Sequence, residues 1–172
     1  SEVLMSSTIV TCDDGTSVRP IGVNMSKSSS RQDLTSPAYE RRGAAGAARA
    51  VFGGGVFVTA VASFEATNVS FEDCEAAHAG GGDAVAGGVG VAQGAEATLV
   101  DARFARTRAR SASGRAYGGA LGTFQTGVVR LTDAELLDTL ARSETDNAFG
   151  GGIGVGFGTV ELRHVRMLHT DA

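Results

Sequence analysis

Apolar and polar residues alternate with period two along much of the chain, and one alternating block occurs four times. In its clearest copy Phe64 and Ala66, then Val69 and Phe71, are apolar with polar residues between them. The counterparts are Ala97, Leu99, Ala102 and Phe104; Val129, Leu131, Ala134 and Leu136; and Val160, Leu162, Val165 and Met167. The blocks align without internal gaps from Phe64 to Ala76, Ala97 to Ala109, Val129 to Ala141 and Val160 to Ala172. Period two marks a strand with one buried face. The phase slips by one residue between the second and third apolar columns, so each block predicts two strands separated by a corner.

Glycine doublets punctuate the same repeat. Gly54-Gly55, Gly87-Gly88, Gly118-Gly119 and Gly151-Gly152 recur at spacings of 33, 31 and 33. Each opens a short segment, with Val56 and Val58, Val89 and Val91, Ala120 and Gly122, or Ile153 and Val155, which supplies a third strand. Columns held in this way fit an all-β, right-handed parallel β-helix of about five coils, each carrying three short strands. Equivalent residues then stack at about 4.8 Å, backbones pair with the coils above and below, and the inward columns form one spine. Phe71, Phe104, Leu136 and Met167 are the marker column. A helical solenoid is disfavoured, because glycine in a helix interior costs about 1 kcal/mol relative to Ala and no helical stripe runs along the chain.

The reading is of one β-helix domain over 1–172, with four regular repeats in 54–172 and degenerate coils and loops in 1–53. Val3, Met5, Thr8, Val10 and Gly15 reproduce the second-segment spacing, and Ile21 to Met25 stands where an earlier doublet segment belongs. Leu34, Tyr39 and Ala44 fall near inward or terminal positions, with Pro37 disturbing the strand between them. Ser26 to Ser30 and Arg41 to Ala50 are expected as loops. Open solenoid ends invite pairing. The chain is therefore expected to be a segment of a longer protein, its ends covered by the rest of that chain or by neighbouring subunits.

These residues resemble the polymorphic outer-membrane protein repeat of bacterial surface proteins, within the broader pectin-lyase-like solenoids. The glycine-hydrophobic steps are Gly54-Gly55-Val56, Gly87-Gly88-Val89, Gly118-Gly119-Ala120 and Gly151-Gly152-Ile153. The F-x-x-N-like steps run Phe71 to Cys74, Phe104 to Thr107, Leu136 to Thr139 and Met167 to Thr170. Cys or Thr stands where that family stacks asparagine. The resemblance implies a right-handed β-helix in a large secreted or surface protein, commonly adhesive, and it transfers no catalytic residues.

Composition narrows the classes. The 25 glycines do not fall at every third position, which excludes collagen, and 42% hydrophobic residues with a net charge of −4 exclude a disordered chain. Arginine supplies 14 of the 15 basic residues, but they are spread along the chain without the patch that nucleic acid requires. No apolar run approaches the ~20 residues of a membrane helix, and no signal peptide is visible. Cys12 and Cys74 form either one disulfide or two buried thiols.

Candidate chemistry lies in the polar columns. Ser70, Arg103, Glu135 and Arg166 form one, and Asp73, Arg106, Asp138 and His169 another, so opposite charges should pair as ladders on the outer face. Cys74, Thr107, Thr139 and Thr170 suggest a structural ladder whose hydroxyls satisfy turn backbone. Asn68, Asp101, Asp133 and His164 share a corner column. Asp101 and Asp133, one coil apart, are the low-probability catalytic pair, since paired carboxylates serve glycoside hydrolysis or hold calcium. Corner geometry alone also favours Asp and Asn. His78, His164 and His169 share no column, so no metal site or other cofactor is expected. The favoured expectation is a non-catalytic extracellular surface or structural module for adhesion or assembly, meeting a protein or a glycan. The alternative is a carbohydrate-active enzyme, a polysaccharide lyase or glycoside hydrolase, using Asp101 and Asp133.

Overall fold

The computed structural model describes residues 2–11, 39–42, 48–59 and 62–172. Two strands, β1 (Glu2–Thr11) and β2 (Tyr39–Arg42), precede the regular turns. One turn follows with β3 (Ala48–Phe52), β4 (Val56–Val58), β5 (Ser63–Glu72) and β6 (Glu75–His78). The next has β7 (Asp83–Val85), β8 (Val89–Ala92), β9 (Glu96–Ala105) and β10 (Arg108–Ser111). A third has β11 (Ala116–Tyr117), β12 (Leu121–Phe124) and the continuous β13 (Val128–Ser143), and a fourth has β14 (Ala148–Phe149), β15 (Ile153–Gly156) and β16 (Thr159–Asp171). The strands stack into a parallel β-solenoid of about four turns.

Vertical register follows the second-segment columns. Phe64 pairs with Ala97, Ala97 with Val129, and Val129 with Val160. The Phe71 and Phe104 rings stack at 4.8 Å and 8°, and Leu136 lies opposite both Phe104 and Met167 on its two sides. Phe71, Phe104, Leu99, Leu131 and Leu136 are fully buried in one continuous core. Val3, Met5, Thr8 and Val10 on β1 pair with Phe64, Ala66, Val69 and Phe71, so the N-terminal spacing was read in register.

The corners are made by single residues in the left-handed region. Asn68, Asp101, Asp133 and His164 have φ of 53, 54, 51 and 52°. Asp73, Arg106, Asp138 and His169 have φ of 54, 55, 53 and 53°. Asn, Asp and His enter this region more readily than other side chains, which accounts for most of both columns; Arg106 does not have that ease.

Four expectations change. The third glycine doublet is one residue out of register: Gly54, Gly87, Gly119 and Gly151 form the column, and Val89 faces Leu121 rather than Ala120. The reason is steric. A Cβ on Gly119 would stand 2.2 Å from the Gly151 carbonyl oxygen and 2.4 Å from the Leu140 nitrogen, so this column must be glycine. Gly118 instead fills the preceding left-handed column (φ 61°) beside Gly53, Ala86 and Gly150. The run Arg41 to Ala50 is not all loop, since β2 pairs with β3 antiparallel and includes Arg41, while β3 takes Ala48 to Ala50. Tyr39 therefore lies on an antiparallel strand rather than on a further parallel coil. A short ladder, β3-β7-β11-β14, runs ahead of the doublets in addition to the three expected strands. Last, Thr107 and Thr139 are buried with no hydrogen-bond partner for either hydroxyl among the described residues, so they do not serve turn backbone. Gly15, Ile21 to Met25, Ser26 to Ser30, Leu34, Pro37 and Ala44 lie outside the described residues.

Candidate functional site

The polar chemistry lies on the outer face of the large sheet, where each strand points alternate side chains away from the core. Its middle is a lattice of opposite charges. Arg103 lies 3.7 Å from both Glu72 and Glu135, and Glu135 is 3.9 Å from Arg166. Arg130 sits between Glu96 at 2.9 Å and Glu161 at 3.3 Å. Arg106 donates Nε and Nη2 to the two oxygens of Asp73 at 2.7 and 2.8 Å, a fork matched to a carboxylate. That hydrogen bond holds the Asp73 carboxyl below its ordinary range, and Asp73 in turn raises Arg106. The expected ladders are present, and their members are substantially exposed.

The corner column carrying Asp101 and Asp133 runs along the same face. Asp133 Oδ1 lies 3.0 Å from His164 Nδ1. An ionised carboxylate only accepts, so this contact is a hydrogen bond in the tautomer that carries the proton on Nδ1. His169 and Asp138 repeat this contact at 3.1 Å in the next corner column. Asp101 has no side-chain partner among the described residues and is exposed. Asp101 and Asp133 thus stand on adjacent turns of an open surface, with Asp133 engaged by a histidine. The two histidines fall in separate columns, and no group of three or more His, Cys, Asp or Glu among the described residues is placed to hold a metal ion.

Cys74 is buried within the core and is disulfide-bonded. Cys12 lies outside the described residues, but β1 ends at Thr11 opposite Glu72, which brings that end of β1 beside the Cys74 segment.

A different site emerges just past the aligned blocks. On β6, β10 and β13 the residues Ala77, Arg110 and Arg142 stack in one outward column. A cleft of about 360 Å³ opens over them, with Glu75, Glu144 and His78 also on its wall. The strands hold the arginines in register through the ladder, and the loop backbones beyond them are tied in place. Ser111 Oγ donates to the Gly82 carbonyl and accepts from the Gly114 N–H, at 2.7 and 2.8 Å. His78 Nδ1 accepts from the Gly80 N–H at 2.9 Å. Arg110 reaches Glu75 only at 3.7 Å, beyond hydrogen-bond length, and Arg142 has no side-chain partner among the described residues. Sequence reading missed this pair because the repeat alignment stopped at Ala109 and Ala141. Extending the columns by one residue would have shown two like charges stacked.

No family model, curated protein or solved structure matches the chain.

Proposed function

We propose that this chain is a non-catalytic β-helix segment of an extracellular surface or structural protein, of the polymorphic outer-membrane type, presenting its flank to a protein or glycan. The observation that carries the reading is the disulfide at buried Cys74. Disulfides persist in oxidising compartments and are rare in the cytosol of mesophiles. The disposition of the polar residues supports it as well. Asp73, Asp133 and Asp138 each occupy a left-handed corner and each accept from a cation or histidine on the adjacent turn. Such placement explains these acids structurally, without a reaction.

The alternative, a carbohydrate-active enzyme, draws on the stacking of Asp101 and Asp133 on adjacent turns. Asp101→Gly together with Asp133→Gly tests it cleanly, because glycine accepts φ near 50° and removes the carboxylates without straining the corners. Incubation with a panel of neutral and acidic polysaccharides should give no chain shortening by parent or variant. Turnover by the parent that disappears in the double variant would replace the proposal with the enzyme.

A further inference from the structure

Two columns on the described outer face stack like charges. Asp101 over Asp133 is one, and His164 relieves it. Arg110 over Arg142 is the other; Glu75 forms an ion pair with Arg110 at 3.7 Å, whereas Arg142 has no carboxylate within ion-pair distance among the described residues. Like charges directly opposite across a ladder destabilise a sheet, and Arg103, Arg106, Arg110, Arg130 and Arg166 on this face each have a carboxylate within ion-pair distance. Arg142, which has no carboxylate at that distance among the described residues, lines a cleft.

From this geometry we infer that the cleft binds sugars bearing a sulfate or phosphate monoester. The two arginines stand on adjacent rungs, their backbones about 4.8 Å apart, so both guanidinium forks can turn toward one ligand. A carboxylate, planar with two oxygens, is saturated by a single fork; a tetrahedral monoester has three terminal oxygens and reaches both. Glu75 and Glu144 on the wall repel a bare anion but accept hydrogen bonds from hydroxyls, so the oxyanion arrives on a hydroxyl-bearing carrier. The methyls of Ala77, Ala79 and Ala112 give the C–H face of a sugar ring an apolar contact. A volume of about 360 Å³ is of small-ligand size. This inference rests on the flank being a presenting surface and names the ligand class that the proposal leaves open.

The test is a titration of the full 172-residue chain with galactose 6-sulfate, galactose 6-phosphate and galactose, followed by amide chemical shifts. At least one ester should saturate, with shifts centred on β10 and the facing part of β13, and binding should weaken as salt rises. Saturation by one ester alone supports the inference and identifies the group. Arg142→Ala should weaken ester binding about tenfold or more, while Arg163→Ala, an exposed arginine on β16 outside the cleft, leaves it unchanged. Thermal midpoints of both variants report whether the fold is intact. The inference is overturned if neither ester binds, if galactose binds as tightly as the esters, or if an intact Arg142→Ala chain binds like the parent. The polysaccharide assay above decides the parent proposal separately, since it reads carboxylates that the cleft does not contain.

Discussion

Leu136 and Met167 occupy the same inward column on adjacent turns, in the same register, on strands of the same pattern. Leu136 is fully buried, with Phe104 on one side and Met167 on the other, whereas Met167 has a paired neighbour on one side among the described residues and is 41% exposed. The same change runs through the turn: Leu131 is buried and Leu162, one rung along, is 47% exposed. Local sequence cannot account for the difference. A solenoid turn cannot bury its own apolar face, and the core exists only where turns lie above and below.

The largest expected contrast follows directly. Leu136→Ala should cost about 2–5 kcal/mol in denaturant unfolding, because it leaves a cavity between fixed neighbours. Met167→Ala should cost less than about 1 kcal/mol, since much of that side chain remains in water. Equal losses at the two sites would remove the distinction between a turn stacked on both sides and one stacked on a single side.

A second contrast concerns glycine. Gly119→Ala drives a methyl into backbone of the adjacent turn and should destabilise by about 1–3 kcal/mol or more. In Gly152→Ala the nearest atoms are the ends of the Leu136 and Thr170 side chains, at 3.1 and 3.2 Å, which can shift. Its loss, measured by thermal melting, should be clearly smaller.

The threonine column sharpens the comparison at lower energy. Thr139 is sealed with an unpartnered hydroxyl, while Thr170 opposite it is only partly buried. Removing an unsatisfied buried hydroxyl stabilises, so Thr139→Val should raise stability by about 1 kcal/mol and Thr170→Val should change it little.

The smallest effect lies on the surface. The Asp73 carboxyl is lowered by its hydrogen bond to Arg106, so its stabilisation is full above the ordinary carboxylate pKa and fades as pH falls through the lowered one. The pair is half exposed, so solvent screening keeps its contribution small. Asp73→Asn should therefore lose a little stability at neutral pH and approach the parent on acidification below about pH 4, in melts run against pH.

What was legible in the sequence divides along the same physical line. The columns from Phe64 to Ala76 and their counterparts could be read because one face is buried and one is wet, and that contrast writes itself as alternation. Even Val3 to Val10 kept the pattern. The doublet register slipped because Gly118 and Gly119 look alike in sequence, while one serves a left-handed corner and the other a close backbone approach. The β7-β11-β14 ladder was hidden because strands of two or three residues cannot show a period. Among the corners, Asp101 and Asp133 announced themselves, whereas Arg106 did not, since arginine carries no preference for φ near 55°. The cleft was invisible because Arg110 and Arg142 are far apart in sequence and acquire meaning only when the turns stack them.

Methyl–methyl nuclear Overhauser contacts in the full chain test the stacking most directly. Leu99 should show a contact to Leu131, and Leu131 to Leu162, as expected for rungs about 4.8 Å apart; Leu99 and Leu162, two rungs apart, should show a much weaker one or none. A strong direct contact between Leu99 and Leu162, or contacts confined within single repeats, would contradict the account.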